Sequence, residues 1–142
     1  MTFECIKEQN AKVIFSTPHE GSYFFGYYDV CPLNADGTKL LAHHTKFDAR
    51  DVQPGDVCEV GYFILDDMKF YKIDDTTTFN WQQGARLQWV PGSDTDIYYN
   101  KCENDRFICV RYNIETNKIV KLYDEPMYAI SPDNLNFSVR AP

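Results

Sequence analysis

The chain has 142 residues, a formal net charge of −7 (21 Asp and Glu against 14 Lys and Arg) and 15% aromatic residues, with ten Tyr and ten Phe. That length predicts a single domain spanning 1–142, large enough to bury a core. Phosphate recognition needs clustered Lys and Arg; the scattered basic residues here exclude a nucleic-acid grip and leave neutral or acidic partners, sugars among them.

In chain order the pattern is one of strands. "MTFECIKEQNAKVIF" has no long apolar stretch behind a basic start, and no run nears the roughly 18 apolar residues of a membrane span, so no membrane association is expected. Short β-rich runs are predicted over 11–16 and 24–31, the second leading into the turn cluster "PLNADG" and a strand over 38–45. The segment 46–59 is polar, carries Pro54 and Gly55, and reads as a solvated surface excursion rather than a functional lid. Strands over 60–66 and 69–74 flank a short connection, and strands over 85–90 and 97–100 flank "PGSDTD". In 106–113 the side chains alternate, Phe107, Cys109 and Arg111 on one face and Ile108, Val110 and Tyr112 on the other. A strand over 117–124 and a hairpin opening at 127–130 complete the chain, and no window has helical apolar spacing with a cap and a Gly stop.

Cys5, Cys31, Cys58, Cys102 and Cys109 are odd in number and form no C-x-x-C pair, which argues against a zinc ribbon. A soluble protein of a reducing, cytoplasmic compartment is expected, with most thiols acting as small buried hydrophobes. His43 and His44 are adjacent on a strand and point to opposite faces, so they cannot chelate one metal as a pair; one packed imidazole and one exposed are expected. Neither a metal nor a cofactor is predicted.

Three stretches repeat a strand, a turn rich in Pro, Asn, Asp, Gly or Ser, and an apolar strand: "VCPLNADGTKLLAHH", "QWVPGSDTDIYYN" and "AISPDNLNFSV". Aligning Asp36, Ser93 and Asp133 spaces them 57 and 40 residues apart, the first interval lengthened by the 46–59 segment. Four strands per period of about 40–50 residues is the signature of propeller blades. The expected fold is all-β, with antiparallel four-stranded blades forming a partial β-propeller of about two and a half blades: the first near 27–74, the second near 85–124, and a third begun at 127–142. A blade buries its faces only against neighbours, so uncovered terminal faces predict a homodimer.

Ser131-Pro132-Asp133-Asn134 before "LNFSV", and "NADGTKLLAH", resemble the core of the TolB-like propeller repeat, while "PGSDTDIYYN" departs from it by lacking the Asp-Gly pair. "SYFFGYYDVCPLNADGTKLL" with "FNWQQGARLQWVPGSDTDIYYN" resembles the N-terminal part of bacterial propeller proteins related to oligogalacturonate lyases. That resemblance implies a seven-bladed propeller and, in pectate-degrading members, lytic chemistry at a His/Gln-coordinated manganese; none of those ligands matches a residue of this chain.

Ligands of propellers gather where the chain runs into the innermost strands. There, Tyr28 and Asp29 precede one expected strand, and Trp81, Gln82 and Gln83 precede the next. An aromatic platform with amides and a carboxylate suits a saccharide, although the same residues could simply lock neighbouring blades together. The expected function is carbohydrate binding or processing, with a non-catalytic protein-interaction scaffold as the alternative. If the chain is enzymatic, a polysaccharide lyase or glycoside hydrolase is implied, with Glu20 and Asp29 as candidate paired acids. Ser22 and His19 lack the G-x-S-x-G elbow of a serine hydrolase.

Overall fold

The computed structural model describes residues 12, 13 and 15–139, and these are all β, without a helix. Two four-stranded antiparallel meanders follow one another along the chain. The first consists of β1 (Ser22–Phe24), β2 (Lys39–Thr45), β3 (Cys58–Ile64) and β4 (Lys69–Thr76). The second consists of β5 (Gln88–Trp89), β6 (Asp96–Glu103), β7 (Arg106–Asn113) and β8 (Lys118–Tyr123), and a hairpin of β9 (Ala129–Ile130) and β10 (Phe137–Ser138) follows it.

The strands predicted over 38–45, 60–66, 69–74, 106–113 and 117–124 match β2, β3, β4, β7 and β8 to within two residues at each end. Four expectations change, the first being that the strand over 97–100 lengthens to Asp96–Glu103. The strand over 24–31 ends at Phe24, because Gly26 takes φ 145° and Tyr27–Val30 form a turn closed from Val30 N to Tyr27 O at 3.4 Å. The first sheet therefore opens at Ser22. The strand over 85–90 shrinks to Gln88–Trp89, since Arg86 adopts φ +55°, which interrupts an extended backbone. Of the strand over 11–16, residues 11 and 14 lie outside the described residues, as does Cys5, and residues 12, 13, 15 and 16 are in no strand.

The two sheets share local devices. Each has a register shift between its third and fourth strands, at Val60/Gly61 and at Arg111/Tyr112. The four-residue connections before β4 and β8 each end in a left-handed residue, Met68 at φ 56° and Asn117 at φ 53°. Recurrence is strongest at the three turns. Asn34 N bonds Lys39 O, Val90 N bonds Asp96 O and Ser131 N bonds Asn136 O, at 3.1, 2.9 and 2.8 Å. Within these loops Asp36 Oδ1 accepts from Thr38 N, Ser93 Oγ from Thr95 N and Asp133 Oδ1 from Leu135 N. Ser93 thus replaces an aspartate as the acceptor two residues back, which is how the second copy makes the turn without an Asp-Gly pair.

The layers pack as a stack. Leu41 and Val60 of the first sheet share one buried cluster with Ile97, Tyr99, Ile108 and Val110 of the second. On the opposite face of the second sheet, Tyr98 and Cys109 pack with Val90 and Met127, and Ile130 and Phe137 of the hairpin cover them. Successive strand residues point to opposite faces, so β6 is buried without a break from Asp96 to Asn100 because it has a neighbour on each side. Of the four described cysteines only Cys58 and Cys109 are buried, while Cys31 is exposed and Cys102 half-buried, so the expectation that most are buried holds for two. Desolvation pushes the Cys58 and Cys109 thiols up to about 12, which leaves them without nucleophilic character at neutral pH.

Candidate functional site

The segment running into β5 and the segment running into β9 enclose a cleft of about 360 Å³, lined by Phe79, Gln83, Arg86, Asn100, Phe107 and Tyr128 among others. Arg86 is its charged group, and only 7% of it is exposed. Its Nε donates to Tyr128 O at 2.8 Å, its guanidinium lies 4.7 Å from the centre of the Tyr128 ring, and its Nη2 is 3.4 Å from Asp29 Oδ2. The distance to Asp29 is long for a charge-assisted bond, and Asp29 is itself 42% exposed, so the carboxylate compensates the buried cation weakly. A non-glycine residue at positive φ, as Arg86 is, costs energy that packing must hold in place, and such residues concentrate at functional sites.

Of the five residues picked from the sequence, Gln83 and Trp81 line two different clefts and Tyr28, Asp29 and Gln82 line neither. The "NWQQG" segment is a tight loop closed by Gly84 N to Asn80 O at 2.9 Å and braced by Gln83 N to Asn80 Oδ1 at 2.7 Å. Gln83 lines the Arg86 cleft, Gln82 is exposed, and Trp81 lines a neighbouring cleft of about 420 Å³ with Ser22, Asp48, Arg50 and Asp51. Tyr28 is 88% exposed and its ring centre lies 4.4 Å from that of Tyr27 in a tilted arrangement, while Asp29 reaches Arg86. His19 and Glu20 are exposed, and Ser22 is taken up by β1, opposite Thr45.

Trp81 also has a structural task. Its indole N–H donates to Arg50 O at 2.8 Å, and its ring meets Phe24, Phe47 and Phe79 edge-on. Arg50 in turn holds Asp56 through two bonds of 2.7 and 3.0 Å and lies 3.9 Å over the Phe47 ring. The Arg50 bonds, with Gln53 N, bring the Asp56 carboxyl down to about 2. The excursion expected over 46–59 ends at Val57, since Cys58 and Glu59 belong to β3; it carries an internal clamp and is pinned to the segment that opens the second sheet.

Sequence reasoning missed Arg86, and although one packed imidazole was expected of the His43–His44 pair, it missed the bond that His43 makes beneath this cleft. His43 is fully buried; its Nε2 accepts from Ala85 N at 2.9 Å, which leaves the proton on Nδ1, and Nδ1 has no hydrogen-bond partner of good geometry. Burial pulls this imidazole down to about 4. A Cβ on Gly84 would fall 2.2 Å from His43 Cε1, so glycine is what lets the backbone lie against the ring. Asn100 makes the equivalent link in the next layer: its Oδ1 accepts from Met127 N at 2.9 Å and its Nδ2 donates to Met127 O at 2.8 Å. Only a strand-by-strand overlay of the two sheets would have paired His43 with Asn100. One of the two histidines was expected to be exposed, and neither is: His44 is half-buried, with Nδ1 2.6 Å from Glu59 Oε2 and its ring stacked on Tyr23 at 4.4 Å. Among the described residues no three His, Cys, Asp or Glu side chains gather as a metal cluster. No protein-family model, curated protein or solved structure matches the chain, so ligand chemistry must be read from the cleft itself.

Proposed function

We propose that the chain forms part of a TolB-like β-propeller and binds a saccharide in the Arg86 cleft. The propeller reading is supported by the repeated turns and by a middle sheet buried on both faces, the packing that stacked blades require. One observation carries the ligand reading: a buried guanidinium, the Gln83 amide and the Phe79, Phe107 and Tyr128 rings line one open cleft. Apolar ring faces with a few polar groups suit a sugar, whose C–H faces stack while its hydroxyls exchange hydrogen bonds.

The test is a glycan array probed with the wild-type protein and with Gln83→Ala, whose side chain sits on a loop tip and outside the core. Saturable binding to one glycan class is expected, weakened about tenfold by the substitution, the worth of one good hydrogen bond. A blank array, or binding indifferent to Gln83, overturns the reading.

A further inference from the structure

The outermost strands of the two sheets occupy the same place and have opposite characters. β4 is studded with ion-paired residues: Lys72 holds Glu59 and Asp75, and Asp74 holds Lys101. Charges of both signs on an edge discourage pairing with another chain. β8 carries charge of one sign only. Ile119, Val120 and Leu122 are exposed at 56, 51 and 49%, and its two charges, Lys118 and Lys121, are both positive. Among the described residues neither lysine has an ion-pair partner, and Lys121 instead lies 4.8 Å over the Tyr123 ring. The acids nearest in sequence, Glu115 and Asp124, lie beyond the ends of the strand.

Among the described residues β8 pairs only with β7, and no other described strand bonds the backbone N–H and C=O groups of its other edge. An added strand would satisfy that row, and its side chains would alternate beside those of β8. Self-pairing of two β8 strands would gather four lysines on one short ladder, which disfavours a second copy. The register shift at Arg111/Tyr112 leaves Val120 without a partner, so Lys118 and Lys121 fall on one face, opposite Asn113 and Arg111, and Ile119 and Leu122 on the other, opposite Tyr112 and Val110. A strand alternating apolar and acidic residues then covers Ile119 and Leu122 and neutralises Lys118 and Lys121. We propose that the β8 edge takes up such an acidic–apolar extended segment of another polypeptide by strand addition.

The test uses two capped hexapeptides, alternating Glu-Val and alternating Lys-Val, titrated against the wild-type protein and against Lys118→Glu/Lys121→Glu at low salt. Both substituted positions are exposed, and an unchanged circular dichroism spectrum and melting midpoint check that the variant is folded. For the wild type the acidic peptide should bind about tenfold tighter despite the protein's net charge of −7, and the preference should reverse in the variant and shrink in molar salt. No saturable binding of either peptide, or a preference that survives the charge reversal, overturns the proposal. So does concentration-dependent self-association that the acidic peptide fails to compete away, which would give the edge to a second copy. None of these readouts involves the Arg86 cleft.

Discussion

Gly84→Ala should be among the most damaging single-methyl changes in the molecule. Two separate costs arise at this position. At φ +58° the left-handed backbone costs an L-residue about 1–2 kcal/mol. The new Cβ would also meet His43 Cε1 at 2.2 Å and Nε2 at 2.4 Å, and a fully buried ring has nowhere to retreat, so overpacking adds about 1–3 kcal/mol. The total, about 2–5 kcal/mol, should lower the melting midpoint by about 4–20 °C at about 2–4 °C per kcal/mol. Gly37→Ala isolates the first cost: Gly37 has φ +71° and nothing within 4 Å of an added Cβ. Urea denaturation of both variants, with slopes compared to confirm that midpoints report stability, gives the contact cost by difference. If Gly84→Ala is no more destabilising than Gly37→Ala, the close approach of the 80–84 loop to His43 is wrong.

Further outcomes follow from the same contacts. His43 is held down to about 4 by burial against an ordinary value of 6.5, so the unfolded chain takes up its proton first as the pH falls. Stability conferred by the neutral imidazole is complete above about 6.5 and is lost on descending to about 4, a change of about 3 kcal/mol; stability measured by urea melts should be flatter across that window in His43→Gln. Asn100→Ala leaves Met127 N and O without their partner and should cost about 2–4 kcal/mol, with faster hydrogen exchange at Met127 and through the β9–β10 hairpin. Trp81→Ala removes the indole bond to Arg50 O, and trypsin should then cut the 46–59 segment after Arg50 faster than in the wild type while sites in β7 remain protected.

The sequence was most readable where one physical signal dominated. The strand 106–113 is recovered to the residue because its side chains alternate and both faces find a layer to cover them. The segment 24–31 misleads for the opposite reason: its aromatics have strand propensity, but Gly26 bends the chain away after Phe24 and lies against the Gln83 backbone, where a Cβ would be 3.0 Å from the carbonyl oxygen. Propensity reports what a residue tolerates, and this bend is imposed by a contact far along the chain. The candidate site was only half legible for the same reason. "NWQQG" is visible as a polar loop rich in hydrogen-bonding groups, whereas the loop closure that turns Trp81 and Gln83 towards different clefts depends on the Asn80–Gly84 pairing. Arg86 reads in the sequence as the second residue of a strand over 85–90; only its left-handed backbone and its bond to Tyr128 O make it the charged wall of a cleft.

His43 and Asn100 bear on how the layers keep their spacing while their sequences diverge. Each sits on the second strand of its sheet, and each accepts the backbone N–H of the segment that begins the next layer, Ala85 in one case and Met127 in the other. An imidazole and an amide share little as side chains, yet both offer a buried acceptor at the same reach. A buried N–H without an acceptor costs about 1–3 kcal/mol, so the requirement falls on the acceptor rather than on the residue type. The two solutions differ in what they leave behind. Asn100 satisfies Met127 with both ends of its amide, while His43 leaves Nδ1 without a partner and stays neutral only above about pH 4. The junction of the two sheets is therefore the acid-sensitive one, and the junction with the hairpin is not. Because the Arg86 cleft is walled by Gly84 and Ala85 on one side and by Met127 and Tyr128 on the other, acid should loosen one wall of the cleft before the other.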